Sequence, residues 1–542
     1  MRKLLVAVSV LLFCYGSAFS QEMLDAYKYS SNDLSGTARS LGMGGAFGAL
    51  GGDISAMSNN PAGLAVYRSS EVVTTLSLSS IGAKTDWFGN KENNNRVKFD
   101  FDNIAYVGYF PTSNDGGIVN WNFGLSYNRV KNFRRNYSMT ARGGTNYSLS
   151  DYTATMANLN EYRAGDLLDT SGSGSGGNDP YRNSQLDWMS VLAYNAGYMN
   201  AYNDNDNDND KLYYSTFTNP DGSGFPMSEA NLIVTESGYI DQYNIAFGMN
   251  ISDIVLLGAT VKITDLDYNQ QSYYKEVYEN GSLLTLGNDK DGVNGLSTDG
   301  TGYGFNLGVI VRPSDYFRLG VAYNSPTWYK MTDYFRSGAS ADTPEFSEEV
   351  WAHTPDGAFG DYKYRTPDKW IFSAAAIIGQ YGLISVDYEL TNYKRMKLYY
   401  ADGISNDNAN GDIDNAFGIG NTIRVGAEAK ITPQFSVRAG GGWTGSPLAS
   451  SYKNGSEQIF TAGTIPHFTL DQSMSYYTVG LGYRFTPNFY TDIACVFKTH
   501  KQDVYAFSSI PGDNPGEYLI KAEPATMKTN TTKVALTLGY KF

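Results

Sequence analysis

The last twelve residues constrain this chain most. In 531–542, Val534, Leu536, Leu538, Tyr540 and Phe542 fall on one face of an extended strand. Lys533, Ala535, Thr537, Gly539 and Lys541 fall on the other. Such period-two alternation marks a strand with one apolar and one polar side. Val119, Trp121, Phe123, Leu125 and Tyr127 repeat it, alternating with Asn120, Asn122, Gly124, Ser126 and Asn128. Like segments recur near 71–81, 98–110, 237–250, 254–268, 302–312, 316–328, 369–378, 383–394, 422–431, 435–445, 475–485 and 489–498, which makes fourteen.

The connections are asymmetric. Those at 251–253, 313–315, 432–434 and 486–488 are tight, whereas 269–301, 329–368, 401–421, 446–474 and 499–530 are long. Short turns at one end and long loops at the other characterise bacterial outer-membrane barrels. An even strand number keeps the first and last strands antiparallel, and closure removes edges whose unpaired backbone is costly in lipid. After residue 20 no apolar run reaches 18 residues; 371–378 comes nearest and stops at Gly379. Helical spans are therefore not expected. The reading is an all-β, fourteen-stranded antiparallel transmembrane barrel over 71–542, with long outer loops, of which 134–235 is the longest.

Residues 1–20 read as a secretory signal: Arg2 and Lys3, an apolar run over 4–13, then Ala18-Phe19-Ser20 before Gln21. Phe13 is too bulky for a lipobox at Cys14. Cys495 is then the only mature cysteine, so no internal disulfide is expected. Residues 21–70 precede the first strand. Their centre, 40–65 (SLGMGGAFGALGGDISAMSNNPAGLA), is too glycine-rich for a helix and too apolar for a surface loop. It suits a compact plug inside the barrel. Asp53 is placed to cap a turn through Met57, and Pro61 to open another. The preceding stretch, 22–40, reads as polar and mobile.

The net charge of −14, or −16 without Arg2 and Lys3, excludes nucleic acid as a partner. The 43 tyrosines suit strands and membrane interfaces. Catalysis finds no motif: His353, His467 and His500 are scattered, and HExxH, CxxC and GxSxG are absent. Gly440–Gly445 fits GxGxxG, but it ends a strand and no helix follows for a phosphate. No cofactor is expected. The alternating Asp204, Asp206, Asp208 and Asp210, and the runs at 289–292 and 407–414, are weak calcium or lipopolysaccharide-bridging candidates. The first run lacks the glycine and distal glutamate of an EF-hand loop, and a solvated acidic loop accounts for it more simply.

The motif Asn59–Ala65 (NNPAGLA) is similar to the Asn-Pro-Ala hatch of the FadL family of outer-membrane transporters of long-chain fatty acids and other hydrophobic compounds. The segments 304–329, 366–378, 385–393, 423–447 and 477–485 resemble family segments in the family's order. The resemblance implies a fourteen-stranded barrel with a hatch formed around Asn60, Pro61, Ala62, Gly63 and Leu64. It also implies passive capture of hydrophobic molecules among outer loops, an internal apolar pocket, and sideways exit at a kinked third strand. Gly124 is the candidate kink, or else simply lumen space. By strand parity, Lys262, Arg312, Arg318, Asp387, Glu389, Arg424, Glu428, Arg438, Arg484 and Asp492 face the lumen. Arg312, Arg318, Arg424, Glu428 and Arg438 are the candidates for clamping the hatch or receiving a carboxylate head group, since arginine's fork matches a carboxylate. The long loop after strand three departs from the family's expected pattern. A related group of barrels with a similar hatch acts in protein secretion and surface attachment through a protein partner, which is the alternative reading. Haem binding through loop tyrosines, or adhesion through the long loop, has less support.

Overall fold

A computed structural model describes residues 22–542 apart from 113–115, 174–176, 203–211, 220–222, 288–293, 345 and 515. The signal-peptide reading, the 204–210 acidic run and the 289–292 run lie outside the described residues. Fourteen antiparallel strands form a closed wall. They are β1 (Glu71–Trp87), β2 (Asn90–Pro111), β3 (Ile118–Asn132), β4 (Met227–Ile251), β5 (Val255–Tyr278), β6 (Asn294–Ser314) and β7 (Phe317–Asn324). The others are β8 (Lys369–Ile378), β9 (Gly382–Asn392), β10 (Ile419–Lys430), β11 (Phe435–Gly445), β12 (Phe468–Arg484), β13 (Phe489–Tyr505) and β14 (Ala525–Lys541). Each pairs with its sequence neighbour, and β14 pairs back onto β1 from Glu71 opposite Lys541 to Asp86 opposite Thr526. Among the described residues no helix is long and apolar enough to cross a membrane.

The alternation sorts side chains as the sequence implies. Val534 is 43% exposed and Leu538 38%, while Ala535 and Thr537 between them are buried. This outward apolar face is what a lipid-facing wall requires. Shorter strands, among them Arg135–Arg142, Trp328–Arg336 and Ala358–Arg365, carry the pairing beyond the membrane on the loop side. Two expectations change here. The first two strands run on to meet at a two-residue turn, Phe88-Gly89, whose positive φ values suit a tight hairpin. Their polar upper half, NKENNN (90–95), has no apolar alternation to announce it. Pairing of Arg135–Arg142 with β4 likewise shortens the loop after β3.

Residues 22–40 form two helices rather than a mobile lead: α1 (Met23–Ser30) and α2 (Ala38–Gly42). Met23, Ala26, Tyr29, Ala38 and Leu41 are buried. From there the chain runs through 40–70 within the lumen. Asp53 Oδ1 accepts from Ser55 N at 2.9 Å to cap Ile54–Met57, and Pro61 opens the 3-10 turn Pro61–Val66. Over the outer mouth, the loop after β3 supplies α3 (Leu149–Leu159) and α4 (Trp188–Asn195). Both helices share one apolar cluster with Met23, Ala26 and Tyr29 of α1. The 407–414 run is the body of a helix, Asp407–Ala416, capped by Asn406.

The inner segment reaches the wall because the wall carries glycine where they touch. Gly248, Gly258 and Gly308 stand directly opposite one another on β4, β5 and β6. A Cβ on Gly258 would lie 2.1 Å from the Pro61 carbonyl carbon. On the other side, Gly426 and Gly440 pair across β10 and β11 and seat Met43. Gly258→Val should therefore unseat the segment, leaving a barrel that still shifts on heating in a gel but is cut by trypsin at Arg39. Gly124→Ala should leave Arg39 protected, because the Cβ meets only side-chain ends, those of Met57 and Leu64, and no backbone.

Candidate functional site: the lumen and its inner segment

Lumen-facing side chains hold the inner segment by its backbone. Asn60 Nδ2 donates to the Gly48 carbonyl at 2.6 Å, and its Oδ1 accepts from Ala62 N at 3.2 Å, so one side chain ties two turns together. Asn122 and Asn120 of β3 donate to the carbonyls of Leu64 and Ala65. Asp387 of β9 accepts from the backbone N–H groups of Phe47 and Gly48, both at 2.9 Å. Asn306 donates to Ser58 O at 3.0 Å, and Thr537 of β14 accepts from Ala38 N at 2.7 Å. A looped backbone buried in a lumen must find such partners.

Charges add a second set of ties. Arg39 of α2 pairs with Glu428 at 3.1 Å, Glu428 also with Arg438 at 2.6 Å, and Arg438 with Asp492. Arg318 donates to Leu50 O at 2.7 Å. Arg424 pairs with Glu389 at 2.7 Å, and Lys369 stands 4.0 Å from that carboxylate. Higher up, Asp33 meets Lys498 at 2.7 Å. Burial alone would raise the Asp33 carboxyl, but Lys498 and Lys131 bring it down to about 2. That tie stabilises the fold above the ordinary carboxylate range and is lost only as pH falls toward about 2.

Above the inner segment lies a cavity of about 430 Å³. Its wall is mixed, not the apolar pocket that the family resemblance implies. Phe133, Ile240, Leu296 and Tyr329 contribute apolar surface beside charged groups from ten of the fourteen strands. Lys262 lines it and is buried, with Nζ donating to Ser325 O at 3.2 Å. No carboxylate pairs with Lys262 among the described residues. His467 and His500 also line the cavity, against Gln270 and Asp471 respectively. Among the described residues no three metal-ligating side chains gather.

The cavity also reaches an interruption in the wall. The β2–β3 ladder runs from Pro111 opposite Asn120 to Asn103 opposite Asn128 and ends there. Both strands are irregular at that level, β2 at Asp102 and β3 at Val130. Side chains bridge the opening: Asp100 pairs with Arg129 at 3.3 Å and with Arg134 at 2.5 Å, and accepts from Asn132 at 3.1 Å. On the outer face Phe101 stacks on Tyr127, with centroids 5.7 Å apart. At Gly124, the candidate kink, both ladders run on without a register shift. Gly124 pairs with Val107 on one edge and Ala246 on the other, and its missing side chain makes room for Met57.

The sequence candidates therefore separate. Arg318 and Glu428 tie down the inner segment, Arg438 braces Glu428, and Arg424 faces the cavity already paired. Arg312 stands near the short turns with its Nε unbonded, and Arg484 is exposed at the same rim. Arg39, Asn122 and Lys131 were not singled out from the sequence, yet each makes a contact on which the lumen depends. Their signal was only parity or an unremarkable place in a polar run. Removing the shared carboxylate by Glu428→Ala leaves the buried Arg39 without its ion-pair partner and Arg438 with Asp492 alone. It should cost about 3 kcal/mol, read as an earlier loss of the folded band on heating.

The family described as outer membrane protein transport protein (OMPP1/FadL/TodX) matches residues 236–542. A FadL homologue from Pseudomonas aeruginosa is 13% identical, the alignment covering 95% of this chain and all of that one, with a TM-score of 0.50. The toluene transporter TodX of Pseudomonas putida is 14% identical over 94% of this chain and 99% of its own, with a TM-score of 0.48. The monoaromatic hydrocarbon channel CymD is 12% identical over 94% and 98%, with a TM-score of 0.46. No curated protein sequence matches the chain. A closed outer-membrane barrel, an inner segment seated on wall glycines and a family match over more than half the sequence agree: this chain belongs to the OMPP1/FadL/TodX family of outer-membrane transport channels for hydrophobic compounds.

Proposed function

We propose that this channel passes amphipathic hydrophobic molecules, long-chain fatty acids among them, and that the inner segment is its hatch. The observation that carries the choice of ligand is Lys262. A buried ammonium without a carboxylate partner is costly, and a carboxylate-bearing ligand would complete it. The apolar residues beside it would take the chain. A neutral aromatic hydrocarbon would leave Lys262 as it stands. The end of the β2–β3 ladder supports a sideways exit there, between Asn103 and Asn128, rather than at Gly124. Phe101 and Tyr127 would face the departing ligand on the lipid side. The ion pairs of Asp100 would act as its latch. Asn60, which joins Gly48 to Ala62, would hold the hatch shut below.

Uptake of labelled oleate and of toluene by cells carrying the protein tests this. Lys262→Met should lower oleate uptake roughly tenfold, as expected for one lost charge-assisted contact, and leave toluene unchanged. Equal uptake of oleate would remove fatty acids as cargo. In a Cys495→Ala background, cysteines at Phe101 and Tyr127 joined by a short bismaleimide should abolish oleate uptake. Normal uptake after cross-linking would exclude this exit.

A further inference from the structure

The outer face of the barrel carries charges that the transport reading leaves unused. Lys84 of β1 stands directly opposite Lys528 of β14, and Lys528 directly opposite Lys501 of β13. Directly opposed residues point to one face, and all three are exposed. With strands about 4.8 Å apart, three ammonium groups share a row roughly 10 Å long. Like charges placed opposite one another are destabilising, and this chain, at a net −14, has carboxylates in excess. None of the three lysines is ion-paired among the described residues. The nearest outward carboxylates are engaged elsewhere: Asp86 stands 3.7 Å from Lys91, and Asp503 accepts from Gln472 at 2.7 Å. The row borders an open depression of about 620 Å³ that Lys91, Asn93, Gln472 and the carboxylates of Asp86, Glu92 and Asp503 also line, Glu92 being held by Ser138 and Thr140.

Its height on the barrel points to the ligand. Below it the same strands present Ile493, Val534, Leu536, Leu538, Leu78 and Val72 outward, which is the lipid-facing band. Tyr477 and Phe497 stack with centroids 4.9 Å apart at the upper edge of that band, as in the aromatic girdle of a membrane barrel. Phe497 lies level with Thr532 and Ser80, so the lysine row comes four residues further out on each strand. On strands tilted by 35–45° that is roughly 10 Å along the membrane normal. The row thus stands just outside the hydrocarbon, at the depth of lipid head groups. Lysine binds phosphate as a point charge, and each lysine near an anionic surface adds about 1 kcal/mol.

We infer that Lys84, Lys501 and Lys528 form a binding site for the phosphate of a phosphorylated lipid in the outer leaflet. The bound phosphate offsets the repulsion among three opposed ammonium groups and fixes a lipid against β13, β14 and β1. The site is separate from the cavity and does not depend on which cargo passes.

Native mass spectrometry of the purified full-length protein tests it, with diphosphorylated lipid A and its phosphate-free counterpart as probes. The unmodified protein should carry the phosphorylated lipid and not the other. The triple variant K84Q/K501Q/K528Q should carry at least roughly tenfold less, given about 1 kcal/mol per lysine. Lys430→Gln, an exposed lysine at the opposite rim, should bind as the unmodified protein does. If the triple variant fails to fold, Lys528→Gln alone removes the central charge and should weaken binding in the same direction. Equal retention by the lysine variants, equal loss in Lys430→Gln, or equal binding of the phosphate-free lipid would overturn the site. Displacement by millimolar inorganic phosphate would assign it to free phosphate and overturn the lipid.

Discussion

Everything in this molecule depends on the pairing of β1 with β14. In hydrocarbon an unpaired backbone N–H or carbonyl costs several kcal/mol, and a fourteen-stranded sheet left open would expose two full edges. Sixteen residue pairs from Glu71–Lys541 to Asp86–Thr526 remove them. Closure then sets the second problem. It creates an interior too wide for wall side chains to fill, and that interior has to be both occupied and satisfied.

The solution is a division of labour between glycine and polar side chains. Where the inner segment must touch the wall, the wall gives up its side chains, as at Gly258 and Gly308 beneath Asn60-Pro61-Ala62 and at Gly248 beneath Leu64-Ala65. Where the segment's looped backbone has no partner of its own, the wall supplies one, as with Asp387 and Asn122. Salt bridges such as Arg39–Glu428–Arg438 then fix the register of one against the other. Above the segment this economy stops, and a cavity with a surplus ammonium at Lys262 remains.

The sequence made the barrel readable because a strand facing lipid on one side and water or polar groups on the other has to alternate, residue by residue. Fourteen strands, the tight turns and the inward charges follow from that single rule. What it cannot reveal is any feature set by partners distant in the chain. The Asn90–Asn95 stretch stands clear of lipid, so it has no apolar face to betray it. Arg39 sits in a polar run, and its value depends on Glu428, which is 389 residues away. Parity put Lys262 and Arg424 in one class, although only the second has a carboxylate beside it. The opening between β2 and β3 is a property of where two ladders end, and Gly124, the residue that looks most like a hinge, lies well inside a continuous one.

The course of the inner segment has a consequence for assembly. Residues 22–30 pack beneath the outer cap, and the chain then descends the whole lumen before it enters the wall at Glu71. The seam that closes the wall joins that first strand to the final one. A closed cylinder of this kind offers no way to thread fifty residues through afterwards, because the cap covers one end and the segment itself fills the other. The inner segment must already lie in the half-built bowl when the seam closes. The barrel is therefore built around its own contents, and the wall glycines that seat the segment also serve as the mould against which the cylinder takes its final bore.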